Sequence, residues 1–182
     1  MIIQNANIAK GTFYHYFKSK KDVLDAVIDC IGIEMLALIE KIALATDISP
    51  IEKLKLIFTG ADKQLLSNAN IMQSIHEVEN RALQEQLNIV YIEKIIPLIT
   101  EVFNQGYERK LWGKKVSDET MQIILGGTQF VLDSGLFRWN ETKRRQFIGE
   151  IKSMLESAIE AKPNTLLFIY ERSDDEKLNN IN

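Results

Sequence analysis

The residues best suited to chemistry lie in one short segment near the N-terminus, residues 6–22, which reads ANIAKGTFYHYFKSKKD. It carries four lysines, one histidine and several hydroxyl groups, with no acidic residue before its last position. Phe13 and Phe17 are four residues apart and share one helical face, which leaves Tyr14, His15 and Tyr16 on the others. Such a helix suits phosphate oxygens and the base edges of a groove. A solvated basic helix start with ordinary core aromatics fits the same pattern, and composition leaves both interpretations open.

Residues for other kinds of chemistry are sparse. The two histidines, His15 and His76, are far apart, and the sequence has no zinc-protease motif, phosphate-binding glycine loop or serine-hydrolase motif. The single cysteine, Cys30, excludes a disulfide framework and a cysteine-based zinc site. These observations predict a protein that is not an enzyme and uses no metal or cofactor, with a helical enzyme as the remotest alternative.

Composition places the chain among ordinary globular proteins. It has 182 residues, a formal net charge of −3 and 46% hydrophobic residues, enough to bury a core. The mild acidity argues against a globally basic nucleic-acid binder but leaves room for a local basic patch. Because no apolar run approaches the ~18–20 residues of a membrane helix, and the first residues are too polar for a signal peptide, we expect a soluble, cytoplasmic protein without a membrane partner.

Helix signals dominate the rest of the chain and predict an all-α fold. The residues expected to open helices are N-caps or helix-start prolines: Ser19, Ser49 with Pro50, Asn70, Ser117 and Asn140. The predicted helices run over about 19–45, 49–67, 70–82, 87–105, 117–137 and 140–162. Pro97 is expected to kink the central helix and Gly106 to end it. Residues 166–170 fit an extended segment or a docked turn, and a solvated tail follows.

The segment Lys10–Lys20, KGTFYHYFKSK, followed by an acidic residue and a Val-Leu pair, resembles the helix-turn-helix signature of the TetR family of transcriptional regulators. The resemblance implies a short recognition helix at about 9–17, a long linking helix, and a helical domain that binds an effector and dimerises. It further implies a helix-turn-helix segment over 1–21, a ligand-binding and dimerisation domain over 22–163, and a C-terminal tail over 164–182.

The resemblance also implies which residues contact operator DNA: Lys10, Thr12, Tyr14, His15, Tyr16 and Lys20. Tyr16 and Lys20 would hold phosphates, and Thr12, Tyr14 and His15 would face the major groove. The chain departs from the family pattern at Asn7, where the family usually has a turn glycine, and asparagine tolerates that turn. The family also has a further helix before the segment that matches at Ile2, so the helix-turn-helix domain is expected to be partial and to bind operator weakly as given.

Two further sites are expected in the helical domain. Polar or aromatic residues within apolar patterns are candidates to line an effector cavity, although each also suits an ordinary core position: Phe58, Asp62, His76, Tyr91 and Phe103. A cavity of that kind would take a small apolar or aromatic effector. The last two helices are candidates for a four-helix dimer interface, unless both faces serve the subunit's own core, and the interface residues would be Ile124, Gly127, Val131, Phe147, Ile151 and Leu155.

Two functions therefore compete. The first is a ligand-responsive, homodimeric, DNA-binding transcriptional regulator that acts as a repressor. The alternative is a helical module that binds a small molecule and has no DNA-binding activity in this form.

Overall fold

The computed structural model describes residues 10–67, 81–133 and 135–169, and all regular structure within them is helical. The helices, labelled here in chain order, are α1 (Lys10–Tyr16), α2 (Lys20–Leu44), α3 (Pro50–Ser67), α4 (Arg81–Val90), α5 (Ile96–Glu108), α6 (Asp118–Val131) and α7 (Glu141–Ala158). A π-helical segment, Tyr91–Ile95, joins α4 to α5. The predicted all-α class is confirmed. Within the described ranges, no helix combines the length and hydropathy needed to cross a bilayer.

Local capping chemistry sets where the helices begin. The side chain of Ser19 accepts a hydrogen bond at the start of α2, Ser117 does so at the start of α6, and Asn140 does so at the start of α7. At α3, the Ser49 hydroxyl accepts from the Glu52 N–H at 3.1 Å. Each of these side chains satisfies a backbone donor that the helix itself leaves unpaired. The helix starts predicted at these residues are confirmed.

The ends predicted near 45 and 67 are confirmed by α2 and α3, whereas the later helices differ from prediction. The helix predicted over 87–105 instead forms one rod over 81–108, which also takes up Ala82 from the helix predicted before it. Most of that earlier helix, 70–82, lies outside the described residues. The predicted helix over 117–137 ends at Val131, where Asp133 accepts a hydrogen bond from the Gly135 N–H at 2.7 Å. The last helix ends at Ala158 rather than at 162, and Glu160 follows in a left-handed conformation.

Pro97 interrupts the rod as expected. Because proline has no N–H, the carbonyl of Glu93 loses its ordinary helical partner. A π-helical segment precedes Pro97. At its end the Ile96 N–H donates a hydrogen bond to the carbonyl of Tyr91, five residues earlier. The π-helical segment fits the lost hydrogen bond expected at this proline, and the kink of the helix axis stays a prediction.

Gly106 does not end the central helix, contrary to prediction. It lies buried inside α5, and a Cβ at this position would stand 1.9 Å from Cζ2 of Trp112. The missing side chain therefore makes room for the indole ring, whose Nε1 donates to the Phe103 carbonyl at 2.9 Å. The left-handed turn that closes the helix falls instead at Lys110.

The core forms around α5, which packs against α2, α3 and α6, and α7 packs on α6. Ile96, Ile99 and Phe103 of α5 are fully buried there. Residues 163–169 form the docked turn that was one of the two predicted alternatives, and Leu166 and Ile169 are buried in the core. The core therefore extends past residue 163, the boundary predicted from the sequence.

Candidate DNA-contacting helix and effector cavity

In helix α1 two phenylalanines are partly buried, and the polar aromatic side chains are exposed to solvent. The rings of Phe13 and Phe17 are 5.3 Å apart and half-buried. Tyr14 is 52% exposed and Tyr16 is 72% exposed, and His15 is exposed beside Tyr16 with ring centroids 5.3 Å apart. Because only the phenylalanine pair is partly buried, the other side chains of the helix are available for contact with a large partner.

The remaining residues predicted to contact DNA lie on the same short element. Thr12 is exposed on α1. Lys10 and Lys20 are the first residues of α1 and α2, and their side chains lie outside what the structure describes. Thr12, Tyr14, His15 and Tyr16 are thus brought together on one exposed helix, which is the geometry that groove contact requires.

A hydrogen-bonded junction sets α1 relative to α2. The Asp22 carboxylate accepts from the Lys18 N–H at 2.7 Å, the Ser19 N–H at 3.2 Å and the Ser19 hydroxyl at 2.6 Å. These bonds, that of Ser19 first, lower the pKa of Asp22 below its usual range. Lys18 Nζ also donates to the Tyr14 carbonyl at 2.8 Å, a contact that sequence reasoning missed. The junction connects α1 to the start of the long helix α2.

A cavity of about 210 Å³ lies between α4 with its π-helical extension and α6 with the turn after it. Of the residues predicted to line an effector site, Tyr91 lines this cavity. Sequence reasoning missed its other lining residues: Arg81, Gln84, Glu85, Asn88, Ile92, Gly126, Gln129, Phe130, Asp133 and Leu136. For the lining residues on α4, one sequence feature could have indicated them: charged and amide side chains recur at helical spacing along that helix.

Two other predicted effector residues, Phe58 and Phe103, lie in the core. Phe103 is fully buried against Trp112, with ring centroids 5.8 Å apart, and Phe58 is buried in the same core. Both therefore occupy the core positions that were the alternative interpretation. Asp62 belongs to α3 but its side chain lies outside the described part, and His76 lies outside the described residues altogether.

The cavity has a polar wall and an apolar wall. Gln84 Nε2 donates to Asp133 Oδ2, which ties α4 to the turn after α6, and the Asp133 carboxylate is buried. The apolar wall, as the term is used here, consists of the lining residues Ile92, Phe130 and Leu136. Burial raises the pKa of the Tyr91 phenol, whose hydroxyl is in any case neutral at physiological pH and can donate a hydrogen bond. Such a site can hold an aromatic or aliphatic body and bond a polar group on it.

The residues predicted for the dimer interface divide into two groups. Ile124, Ile151 and Leu155 are buried in the subunit's own core, so their side chains are not offered to a partner. Val131 and Phe147 are half-buried, and Gly127 is exposed. The apolar residues that face outward from these two helices are Ile123, Phe130 and Met154. That these two helices form a dimer interface stays a prediction, and several of the residues predicted for it face the subunit's own core.

Two protein-family models match separate parts of the chain. Residues 1–27 match the family described as bacterial regulatory proteins, tetR family. Residues 63–152 match the family described as tetracyclin repressor-like, C-terminal domain. Among curated proteins, none matches the chain. The two matches agree with the exposed helix α1 and with the helical domain behind it: this chain belongs to the TetR family, as a DNA-binding transcriptional regulator with a ligand-binding C-terminal domain.

Proposed function

We propose that the protein is a homodimeric, cytoplasmic repressor that releases its operator when a small molecule fills the cavity lined by Tyr91. The observation that carries this proposal is the exposed set of Thr12, Tyr14, His15 and Tyr16 on a helix held by Phe13 and Phe17. Residues 1–21 act as the DNA-binding segment, and residues 22–169 form the effector and dimerisation domain.

Helix α1 reads the major groove in this proposal. Thr12 and His15 have the donors and acceptors that base edges require, and the Tyr16 hydroxyl and the lysines at the starts of α1 and α2 bind phosphates. The Asp22 junction fixes the angle at which α1 leaves α2, so that a movement of α2 moves the reading helix with it.

Helix α2 also connects the reading helix to the cavity. Gly32 is buried in α2, and a Cβ built there would lie 3.7 Å from Cδ2 of Leu87 in α4. Leu87 is one helical turn before Tyr91, which lines the cavity. A ligand that displaces α4 therefore presses on α2 near its middle, and two such shifts in a dimer change the spacing of the reading helices.

The two walls of the cavity indicate the class of effector. The apolar wall accepts an aromatic or aliphatic body, as the sequence predicted, and the polar wall adds a requirement. The Tyr91 hydroxyl, the Gln129 amide and the Asn88 amide need partners when water leaves, because an unsatisfied buried polar group is costly. The effector proposed here is a small aromatic compound that carries at least one hydrogen-bonding group.

The dimer face proposed here is the outer side of α6 and α7. Ile123 is 73% exposed, and Phe130 and Met154 are also exposed. A Cβ at Gly127, on the same side of α6, would meet nothing within 4 Å. Large exposed apolar side chains beside a glycine allow two helix pairs to approach closely around a two-fold axis.

DNA binding is tested with duplexes selected from a random library by the protein expressed from its complete reading frame. Fluorescence anisotropy then compares Tyr16→Phe with Tyr107→Phe, a partly exposed tyrosine of α5. Because only Tyr16 is proposed to bind phosphate, Tyr16→Phe is expected to weaken binding about fivefold, and Tyr107→Phe is expected to leave it unchanged. Recovery of no preferred duplex by a well-folded protein would contradict the proposal and support the helical module without DNA binding.

The effector site is tested by a thermal-shift screen of small aromatic compounds, and each hit is carried into the anisotropy assay. Hits are expected to release the selected duplex. Tyr91→Phe is expected to weaken them about fivefold through loss of one hydrogen bond, while Tyr107→Phe again serves as the control. Hits that bind equally to Tyr91→Phe and release no DNA would place the effector elsewhere.

The dimer face is tested by sedimentation equilibrium on two matched variants. Ile123→Asp places a charge on the outer side of α6, and Ile33→Asp places one on an equally exposed position of α2. Neither side chain supports the core, so both variants should stay folded. Only Ile123→Asp is expected to shift the protein to monomer, and a dimer unaffected by this change would show that another surface is used.

A further inference from the structure

Lys53 has an unusual environment for a lysine. It lies in the first turn of α3 and only 2% of its surface is exposed. Its Nζ donates to the Ala43 carbonyl and to Oε1 of Gln105, each at 2.7 Å. Both acceptors are neutral, and no carboxylate among the described residues comes within ion-pair distance of this ammonium. A buried ammonium with three donors and neutral partners has capacity for a negatively charged partner.

This ammonium borders an open cleft of about 360 Å³, where the end of α2, the start of α3 and the end of α5 meet. The cleft is separate from the effector cavity and shares no lining residue with it. Its charged residues besides Lys53 are Glu101, Glu108, Arg109 and Lys115.

Most of these charges already have partners. Glu108 is paired with Lys115, and Glu101 accepts from the Gln105 amide at 3.4 Å. Arg109 is exposed at the rim of the cleft and joins no ion pair with a described carboxylate. Burial and then the charge of Arg109 lower the pKa of Lys53, while Glu101 and Asp47 act in the opposite direction. Lys53 and Arg109 therefore repel each other across the cleft, and an anion between them would relieve that repulsion.

We propose that this cleft is a second ligand site, which binds the carboxylate of a small organic acid between Lys53 and Arg109. The remaining Lys53 N–H donates to one carboxylate oxygen, and the Arg109 guanidinium pairs with the carboxylate from the rim. The neighbouring Glu101 and Glu108 oppose a doubly charged anion, so the site favours a monocarboxylate over phosphate. The rest of the acid occupies the cleft beside Leu44 and Ala45.

The test is a chemical-shift titration of ¹⁵N-labelled full-length protein with sodium butyrate, with butyramide, phosphate and chloride at matched ionic strength. Butyrate is expected to move amide signals around residues 43–46 and 101–109, and neutral butyramide is expected to move none of them. Arg109→Gln is expected to raise the butyrate Kd about tenfold. Lys114→Gln removes an equal charge from an exposed neighbour that does not line the cleft, and it should leave the Kd unchanged.

Lys53→Met tests the buried anchor and is expected to abolish the butyrate response while butyramide stays inert. If this variant fails to fold, the contrast between Arg109→Gln and Lys114→Gln decides the matter. Equal butyrate affinity in those two variants, shifts centred outside the cleft, or an equal response to butyramide would each overturn the proposal. A stronger response to phosphate than to butyrate would overturn the preference for a monocarboxylate.

Discussion

Aromatic residues in two regions of the described chain, α1 and the end of α5, have opposite environments. On α1, Tyr14 and Tyr16 are exposed, and no described side chain between residues 11 and 19 is fully buried. Near the end of α5, Phe103 is fully buried against Trp112, whose N–H bonds the Phe103 carbonyl. The first region holds its shape through local hydrogen bonds, and the second through close packing.

The difference separates binding from stability. Side chains that stay in water contribute little to folding and are available to a partner, whereas interlocked side chains cannot change without disturbing their neighbours. We therefore expect substitutions in the α5 region to lower the free energy of unfolding, and substitutions on α1 to change DNA affinity alone.

Gly106→Ala gives the largest expected effect. The new Cβ would overlap the Trp112 ring, whose position is fixed by its hydrogen bond and by burial. Forced repacking of this kind is expected to cost about 3 kcal/mol. Chemical denaturation monitored by circular dichroism measures the loss.

Gly149→Ala is the matched control for that substitution. It makes the same change on an exposed part of α7, where a Cβ would meet nothing within 4 Å. Alanine is the better helix former, so a gain of up to about 1 kcal/mol is expected. A similar stability for the two variants would show that the α5 region is not closely packed.

His15→Ala tests the prediction that an exposed side chain of α1 affects DNA affinity and not stability. His15 is exposed and proposed to reach a base edge, so its loss should weaken binding of the selected duplex about tenfold. The free energy of unfolding should stay within about 0.5 kcal/mol of wild type, as for most surface changes. A substantial loss of stability in this variant would mean that α1 is part of the packed core and would remove the contrast.

The fold could be predicted best where the determinants are local. Ser19, Ser117 and Asn140 open helices because their own side chains cap them, and the side chain and its target lie within three residues. The ends of the later helices were harder to predict from the sequence. The end of α6 at Val131 depends on the turn around Asp133, and the passage of α5 through Gly106 depends on an indole from a later segment.

In the candidate site, too, the features set by local spacing could be predicted from the sequence, and those set by long-range contacts could not. The exposed face of α1 follows from the spacing of Phe13 and Phe17 alone, so sequence reasoning could assign it. The cavity could not be assigned in the same way, because its polar wall joins Gln84 to Asp133 across 49 positions of sequence. Phe103 suited a core position better than a cavity but left both open, and the position of Trp112 relative to it places it in the core.

The smallest expected effect concerns the hydrogen bonds that replace packing at the α1–α2 junction. Asp22 has a lowered pKa in the folded protein because Ser19 and the Lys18 N–H bond its ionised form. Its contribution is therefore fully present above the unfolded pKa of about 3.9 and is lost as the pH falls through the lower folded value. The protection factors of the amides at the start of α2, which correct for the intrinsic pH dependence of exchange, should fall as the pH drops through that folded value, and Asp22→Asn should remove the change.

Ser19→Ala sharpens the same point. At pH 7 the loss of this cap should cost about 1 kcal/mol in the local opening of α2. Below the folded pKa of Asp22, the difference between Ser19→Ala and wild type should shrink, since protonated Asp22 no longer completes the capping box. If the protection factors at the junction are indifferent to both Ser19→Ala and pH, then these hydrogen bonds do not stabilise the start of α2. The contrast between α1 and the end of α5 would then be lost.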